Sequence, residues 1–457
     1  METSCDLIII GGGQAGIPLA QDLAAMGKQI VLAERKYLGG SCVNFGCTPT
    51  KAAIASARLA HMSRRGGEFG IRIPTVYVDF GAVIQRAQKI ALTSRDYLDH
   101  SFETTKNPKL LRGHARLDGR ADGKFRVRVG DHVITADQVV VNTGTRSVVP
   151  DIDGLKEIKF IHAGNWLEWA VQPDHLAMIG GGAIGLEMAQ FYRRLGSRVT
   201  VIEFGSHIAG HEDPDIADAM QAILQGEGIE FRLRTAVKNI RSDDSELILG
   251  LGEDGSTELR ATHVFVATGR FPNTDDIGLE TVGVATTEHG IIKVDERLAS
   301  NVKGIWAAGD VRGGPQFTHT SWDDYRILLS QIAGNGSRTT KRVVPYAVFT
   351  DPELGRVGMT EMEARQGGHQ FKIGWFNMSD SGKAYEIGET AGVIKVIIDA
   401  STNLILGAAV LAANAAELVH IYITLMNAGA PYTVIREAIH IHPTLAEALQ
   451  SAITDIK

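Results

Sequence analysis

The chain has 457 residues, 44% of them apolar, which suggests about three domains at ~150 residues each, with enough apolar material for ordinary cores. A formal net charge of −7 argues against a nucleic-acid or anionic-membrane partner. The longest apolar run, Leu404–Ala413, is ten residues, too short to cross a bilayer, and only three cysteines exclude a secreted disulfide scaffold and point to the cytoplasm.

The N terminus, METSCDLIII, has no basic segment and runs straight into a strand pattern, so no signal peptide is expected. From Leu7 to Glu34 the pattern is a buried strand, a turn with Gly11, Gly13 and Gly16, a helix, and a second strand ending in an acid. This is the physics of a dinucleotide site. Glycines let the turn approach a pyrophosphate, the helix N terminus favours its charge, and the acid receives ribose hydroxyls.

Next comes GGSCVNFGCTPTK, Gly39–Lys51, which holds two of the three cysteines. Metal ligands, incidental thiols and a redox disulfide are all conceivable. In a regular helix, residues five apart have Cα atoms about 8.6 Å apart, whereas a disulfide wants roughly 4.4–6.8 Å. A bond between Cys42 and Cys47 would therefore require the backbone to leave the helix, and Gly46 would help it. Such a short loop adds little stability but makes a good redox centre.

The glycine unit recurs. Leu176–Glu203 aligns without gaps to Leu7–Glu34 at an offset of 169 residues, with Gly180, Gly182 and Gly185 in the turn and Glu203 as the acid. One GxGxxG is weak evidence; two copies with strand, helix and acid in place are strong. The units close on VVVNTG (Val139–Gly144) and VFVATG (Val264–Gly269), only 125 residues apart, so the first carries 44 extra residues, much of them expected after Glu34. RFPN and IWAAGDV (Ile305–Val311) follow. From about Val344 alternating strand patterns such as GVIKVIIDA appear, then two helical patterns, the second containing HIHPTLAEAL, which together read as a separate α+β domain.

These motifs in this order resemble the flavin-dependent pyridine nucleotide–disulfide oxidoreductases, the family of dihydrolipoyl dehydrogenase, glutathione reductase and mercuric reductase, over nearly the whole chain. The resemblance rests on GGSCVNFGCTPTK, the two glycine units, ATGRFPN at Ala267–Asn273, AAGD at Ala307–Asp310 and HPTLAE at His442–Glu447. It implies an α/β protein with two Rossmann-like domains: an FAD domain in two segments, 1–148 and 271–343, and an NAD(P) domain at 149–270. A C-terminal dimerisation domain would occupy 344–457. The implied enzyme is a homodimer with shared active sites that acts on a sulfur group of donors. It would pass electrons between NAD(H), FAD, a Cys42–Cys47 disulfide and a small dithiol or disulfide.

The resemblance also implies residue roles. FAD would be held by Gly11, Gly13, Gly16, Glu34, Ser41, His114, Ala115, Gly144 and Asp310. Cys42 would attack the substrate, and Cys47 would lie against the flavin. Lys51 would sit near the flavin, ion-paired with Glu187. His442, oriented by Glu447, would be the acid–base group, an imidazole being able to take and return a thiol proton near neutrality. Thr444–Glu447 also reads as a capping box that starts a helix. No resident metal is expected, because the cysteines lack a second ligand pair at suitable spacing.

Gly180, Gly182, Gly185, Glu203 and Gly269 would form the nicotinamide-dinucleotide site. A carboxylate at Glu203 favours a 2′-hydroxyl over a 2′-phosphate, and the following FGSHIAG has no arginine or lysine, so NADH is expected over NADPH. Glutathione reductases carry an arginine where this chain has Gln21, so a lipoyl or other small dithiol is the leading expectation. A mercuric reductase-like enzyme acting on a metal ion or other oxidant is the alternative, favoured by the unusual FTHTSWDDYRIL. A flavin-bound redox sensor is a third.

Overall fold

The computed structural model describes residues 2–244, 246–454 and 456. The first glycine unit builds a seven-stranded sheet. At its centre the buried strand Glu2–Ile10 pairs in parallel with Ile30–Glu34 on one side and His132–Val141 on the other. Lys109–Arg112 extends the sheet beyond Ile30–Glu34, and Ile305–Ala307 returns late in the chain to pair with Val139–Val141. Leu7, Ile8 and Ile9 are almost wholly buried, as a parallel strand covered on both faces should be.

The second unit repeats this plan in a five-stranded parallel sheet around His175–Ile179. The passage from second to third parallel strand runs from Ile202 only to Glu230 here, but from Glu34 to Lys109 in the first unit. The extra length is helical: Gly40–Asn44, Cys47–Arg64 and Phe80–Glu103. A two-stranded ribbon, Thr145–Ser147 against Arg270–Pro272, marks both crossings between the units.

The C-terminal part is a five-stranded antiparallel sheet with helices. Its strand Val393–Asp399 is buried along most of its length rather than alternating, because both faces are covered. Lys395 lies within it at 2% exposure, held by Asp215 and Glu361 at 2.7 Å each and by Asp213 at 3.3 Å. The helix expected to contain HIHPTLAEAL is shorter, Ala446–Thr454, and His440–Pro443 precede it. Pro443 lacks the N–H that a helix interior needs. Among the described residues, no helix is long and apolar enough to cross a membrane.

Candidate functional site

The two glycine turns are superposable in their chemistry. A Cβ at Gly16 would meet the Gly11 carbonyl oxygen at 2.3 Å, and one at Gly185 would meet that of Gly180 at 2.1 Å. Gly11 and Gly180 adopt φ of +108° and +109°, a conformation that costs glycine least. In each unit the acid reaches back to its own turn. Glu34 accepts from the Gly12 N–H at 2.7 Å and the Lys36 N–H at 2.7 Å. Glu203 accepts from the Gly181 N–H at 2.7 Å and the Gly205 N–H at 2.6 Å. A carboxylate has about four acceptor positions, so both acids keep capacity for a ribose.

Asn142, in VVVNTG, was not singled out in the sequence. Its side chain accepts from the Gly16 N–H at 3.0 Å and donates to the Ala308 carbonyl at 2.8 Å. It thereby ties the turn to the late-returning strand. The equivalent position in the second unit is Ala267.

A cavity of about 1680 Å³ runs along the first unit, larger than the usual 300–1,000 Å³ ligand pocket. Gly11, Gly13, Glu34, Ser41, Cys42, Cys47, Lys51, His114, Ala115, Gly144, Glu187 and Asp310 all line it. The Gly113 N–H donates to the Glu34 carbonyl at 2.9 Å, which puts His114 and Ala115 beside the acid. Asp310 accepts from the Thr145 hydroxyl at 2.9 Å, and the helix Gly16–Ala25 starts without a capping side chain at its N-cap residue, Ala15, its first N–H being taken by Asn142. A long cavity with a glycine turn, a helix start and an acid fits FAD. In the second unit a Cβ at Gly182 would meet nothing within 4 Å, so the space beside that turn is free for a ligand. Gly16, Gly180, Gly182, Gly185, Glu203 and Gly269 lie outside the lining of the large cavity.

The cysteines sit on either side of a helix break. Gly40–Asn44 ends at Phe45, and the next helix begins at Cys47. Gly46 is required by space: a Cβ there would meet the Ser41 carbonyl oxygen at 2.8 Å. Both cysteines are free thiols. Cys47 is drawn down to about 6, first because the Cys42 thiol donates to it, then by the Thr318 hydroxyl and the Lys51 charge, against the opposing effect of burial. Cys47 also opens its helix, where the dipole favours a thiolate. The Thr318 hydroxyl lies 3.3 Å from its sulfur; within FTHTSW this contact was not legible. Cys42 is pushed up, chiefly by donating to Cys47 and then by burial.

Lys51, one turn after Cys47, pairs with Glu187 at 2.8 Å and lies 4.4 Å over the Phe349 ring. Glu187 is 7% exposed and also accepts from the Phe349 N–H at 2.9 Å. One apolar cluster holds Ala53 and Ala57 of the cysteine helix with Leu186, Phe191 and Tyr192 of the second unit. That packing brings Lys51 and Glu187 together.

His442 and Glu447 lie apart from the cavity of their own chain. His442 Nδ1 is 3.0 Å from Glu447 Oε1, and the imidazole is 80% exposed. The Glu447 carboxyl is held below its ordinary range, first by the Thr444 N–H and then by His442. The expected capping box forms only by half. Glu447 accepts from the Thr444 N–H at 2.8 Å, but the Thr444 hydroxyl donates to the Ile441 carbonyl instead. Among the described residues, no group of three or more His, Cys, Asp or Glu could hold a metal ion.

Comparison with known proteins agrees with this architecture. Residues 5–324 match the pyridine nucleotide-disulphide oxidoreductase family and residues 344–453 its dimerisation domain. The chain is 33% identical to the probable pyridine nucleotide-disulfide oxidoreductase RclA of Escherichia coli, over 98% of this chain and 99% of that protein. It is 32% identical to the dihydrolipoyl dehydrogenase of Cupriavidus necator, over 99% of this chain and 98% of that protein. It is also 32% identical to the mercuric reductase of Streptomyces lividans, over 98% of this chain and 96% of that protein. Among solved structures, a Cu(II) complex of the HOCl-induced flavoprotein disulfide reductase RclA from Escherichia coli superposes with a TM-score of 0.89 at 34% identity, covering 97% of this chain and 98% of that one. The chain therefore belongs to the pyridine nucleotide-disulphide oxidoreductases, flavoprotein enzymes that bind FAD, use NAD(P)H and act on sulfur groups.

Proposed function

We propose that this enzyme passes electrons between NADH and a small dithiol or disulfide, through FAD and a Cys42–Cys47 pair that opens and closes. The observation that carries the reading is the setting of Cys47: a helix start, the Thr318 hydroxyl and the Lys51–Glu187 pair, all on the cavity that holds the glycine turn and Glu34. Bound FAD supplies the two-electron passage between nicotinamide and cysteines. Gly11, Gly13, Gly16, Glu34, Ser41, His114, Ala115, Gly144 and Asp310 would hold it. Gly180, Gly182, Gly185, Glu203 and Gly269 would hold NADH, and the carboxylate of Glu203 would disfavour a 2′-phosphate.

In the reducing direction Cys42 attacks one sulfur of the substrate, and the other sulfur leaves as a thiol. Cys47, as a thiolate, then attacks the Cys42 sulfur, which closes the pair and frees the second sulfur as a thiolate that takes its proton from solvent. Because Cys42 is pushed up, it needs a base, and its own chain presents His442 away from the cavity. His442 of the partner subunit would take that proton, so the working unit is a homodimer. Domain limits of 1–148 and 271–343 for FAD, 149–270 for NAD(H) and 344–457 for dimerisation accompany this reading. So does a cytoplasmic location, where thiols stay reduced.

A second reading has one specific support: the similar RclA structure is a Cu(II) complex. Two adjacent thiols on an open cavity suit a soft metal ion as substrate. The deciding experiment is NADH-dependent turnover on lipoamide, glutathione disulfide, Hg(II) and Cu(II). Lipoamide turnover supports the first reading, and metal-only turnover the second. A yellow protein whose cysteines NADH reduces but which turns over none of them would be a redox sensor.

A further inference from the structure

Phe45, between the two cysteines, presents a carbonyl that its own helix cannot satisfy. In a continuous helix that oxygen would accept from the residue four positions on. Here that residue is Pro49, which has no N–H. The partner comes instead from the segment that leads into the second glycine unit: Trp166 Nε1 donates to the Phe45 carbonyl at 2.8 Å.

Trp166 is 1% exposed and meets Phe191 edge-on, with centroids 6.0 Å apart. Phe191 is one turn beyond Glu187 on the helix Ala183–Leu195. That helix therefore backs the grip at both ends of the Cys47 turn: through Trp166 at Phe45, and through Glu187 at Lys51.

We propose that Trp166 is a positioning residue for the cysteine pair: its indole N–H fixes the helix break between Cys42 and Cys47 and so sets the balance between their dithiol and disulfide forms. This rests on the reading that the pair cycles. In that cycle the Cys42–Cys47 bond takes up two electrons and one proton, giving a thiol at Cys42 and a thiolate at Cys47. NADH supplies the electrons and the proton and leaves as NAD⁺. The bond from Trp166 is made with both sulfurs reduced. On this proposal the bond is weaker once the sulfurs join and the break between the helices is redrawn, so removing it costs the dithiol form more and moves the balance toward the disulfide.

The test is a redox titration of the FAD-loaded enzyme against a dithiothreitol buffer, wild type beside Trp166→Phe. Phenylalanine keeps a ring against Phe191 and removes the donor. The expected result is a disulfide about threefold to tenfold harder to reduce, the usual range for one hydrogen bond, with FAD content and the KM for NADH unchanged. An unmoved equilibrium overturns the proposal, and a lowered melting temperature alone does so too, since that is all a packing role would give. If Trp166→Phe loses FAD, replacement of Trp166 by 3-benzothienylalanine, isosteric but without the N–H, decides by the same criteria. If the wild-type cysteines never form a reducible bond, the functional reading falls and takes this inference with it. A cycling wild type with an unmoved variant sinks the inference alone.

Discussion

Lys51 and Glu187, 136 positions apart, form an ion pair at 2.8 Å that joins the cysteine helix to the first helix of the second unit. Glu187 also holds the Phe349 N–H, so Glu187→Ala unties two elements and leaves Lys51 without its counter-charge. We expect FAD to stay bound while NADH-driven reduction of the flavin slows about tenfold to a hundredfold, the scale of a charged hydrogen bond. Stopped-flow absorbance reads this directly, and a rate within twofold of wild type would show that the pair only braces the helices.

Cys47, drawn down to about 6, should make the two-electron-reduced enzyme show a thiolate–flavin charge-transfer band. A depressed thiol is charged above its pKa, so the band should be full at pH 8 and fade as pH falls through about 6. Above that point reduction takes up one proton and the potential should fall by about 30 mV per pH unit; below it two protons enter and the slope steepens to about 59 mV. Cys47→Ser should lose the band. Cys42→Ser should keep a band in the oxidised enzyme yet block disulfide turnover. Identical behaviour of the two variants would refute the division of labour.

Glu203 holds Gly181 and Gly205 by their N–H groups, so Glu203→Ala loosens the turn as well as removing the acceptor proposed for the ribose. Use of both nicotinamides should weaken, NADH by about tenfold to a hundredfold more. Steady-state kcat/KM for the two coenzymes measures the ratio. A native preference for NADPH would show that the acid does not discriminate.

His442→Ala should leave flavin reduction by NADH fast and slow thiol exchange by ~10²–10⁴-fold, the usual size of lost acid–base catalysis. Mixed with Cys42→Ser under subunit exchange, it should regain activity, since one site in each heterodimer is intact. No recovery despite demonstrated heterodimers means the histidine does not act across the interface.

The glycines, both acids and the cysteine pair were legible because each is a local signal with a fixed spacing. The repeat itself supplies the ruler that predicts much of the 44-residue excess after Glu34, where the structure has three helices. What stayed hidden depends on partners far along the chain. Asn142 reaches Gly16 from 126 residues away, Thr318 reaches Cys47 from 271, and Trp166 reaches Phe45 from 121. The apolar pattern predicts a longer C-terminal helix than Ala446–Thr454 because it begins before Pro443. The capping box halved because the Thr444 hydroxyl found the nearer Ile441 carbonyl.

Each acid already braces its own glycine turn through backbone N–H groups. Much of the ordering entropy of the two nucleotide sites is thus lost during folding rather than at the moment of binding. Stiff receptors of this kind should show closely similar turn geometry with and without nucleotide. Their heat capacity of binding should then reflect buried apolar surface alone, without an added contribution from loop folding.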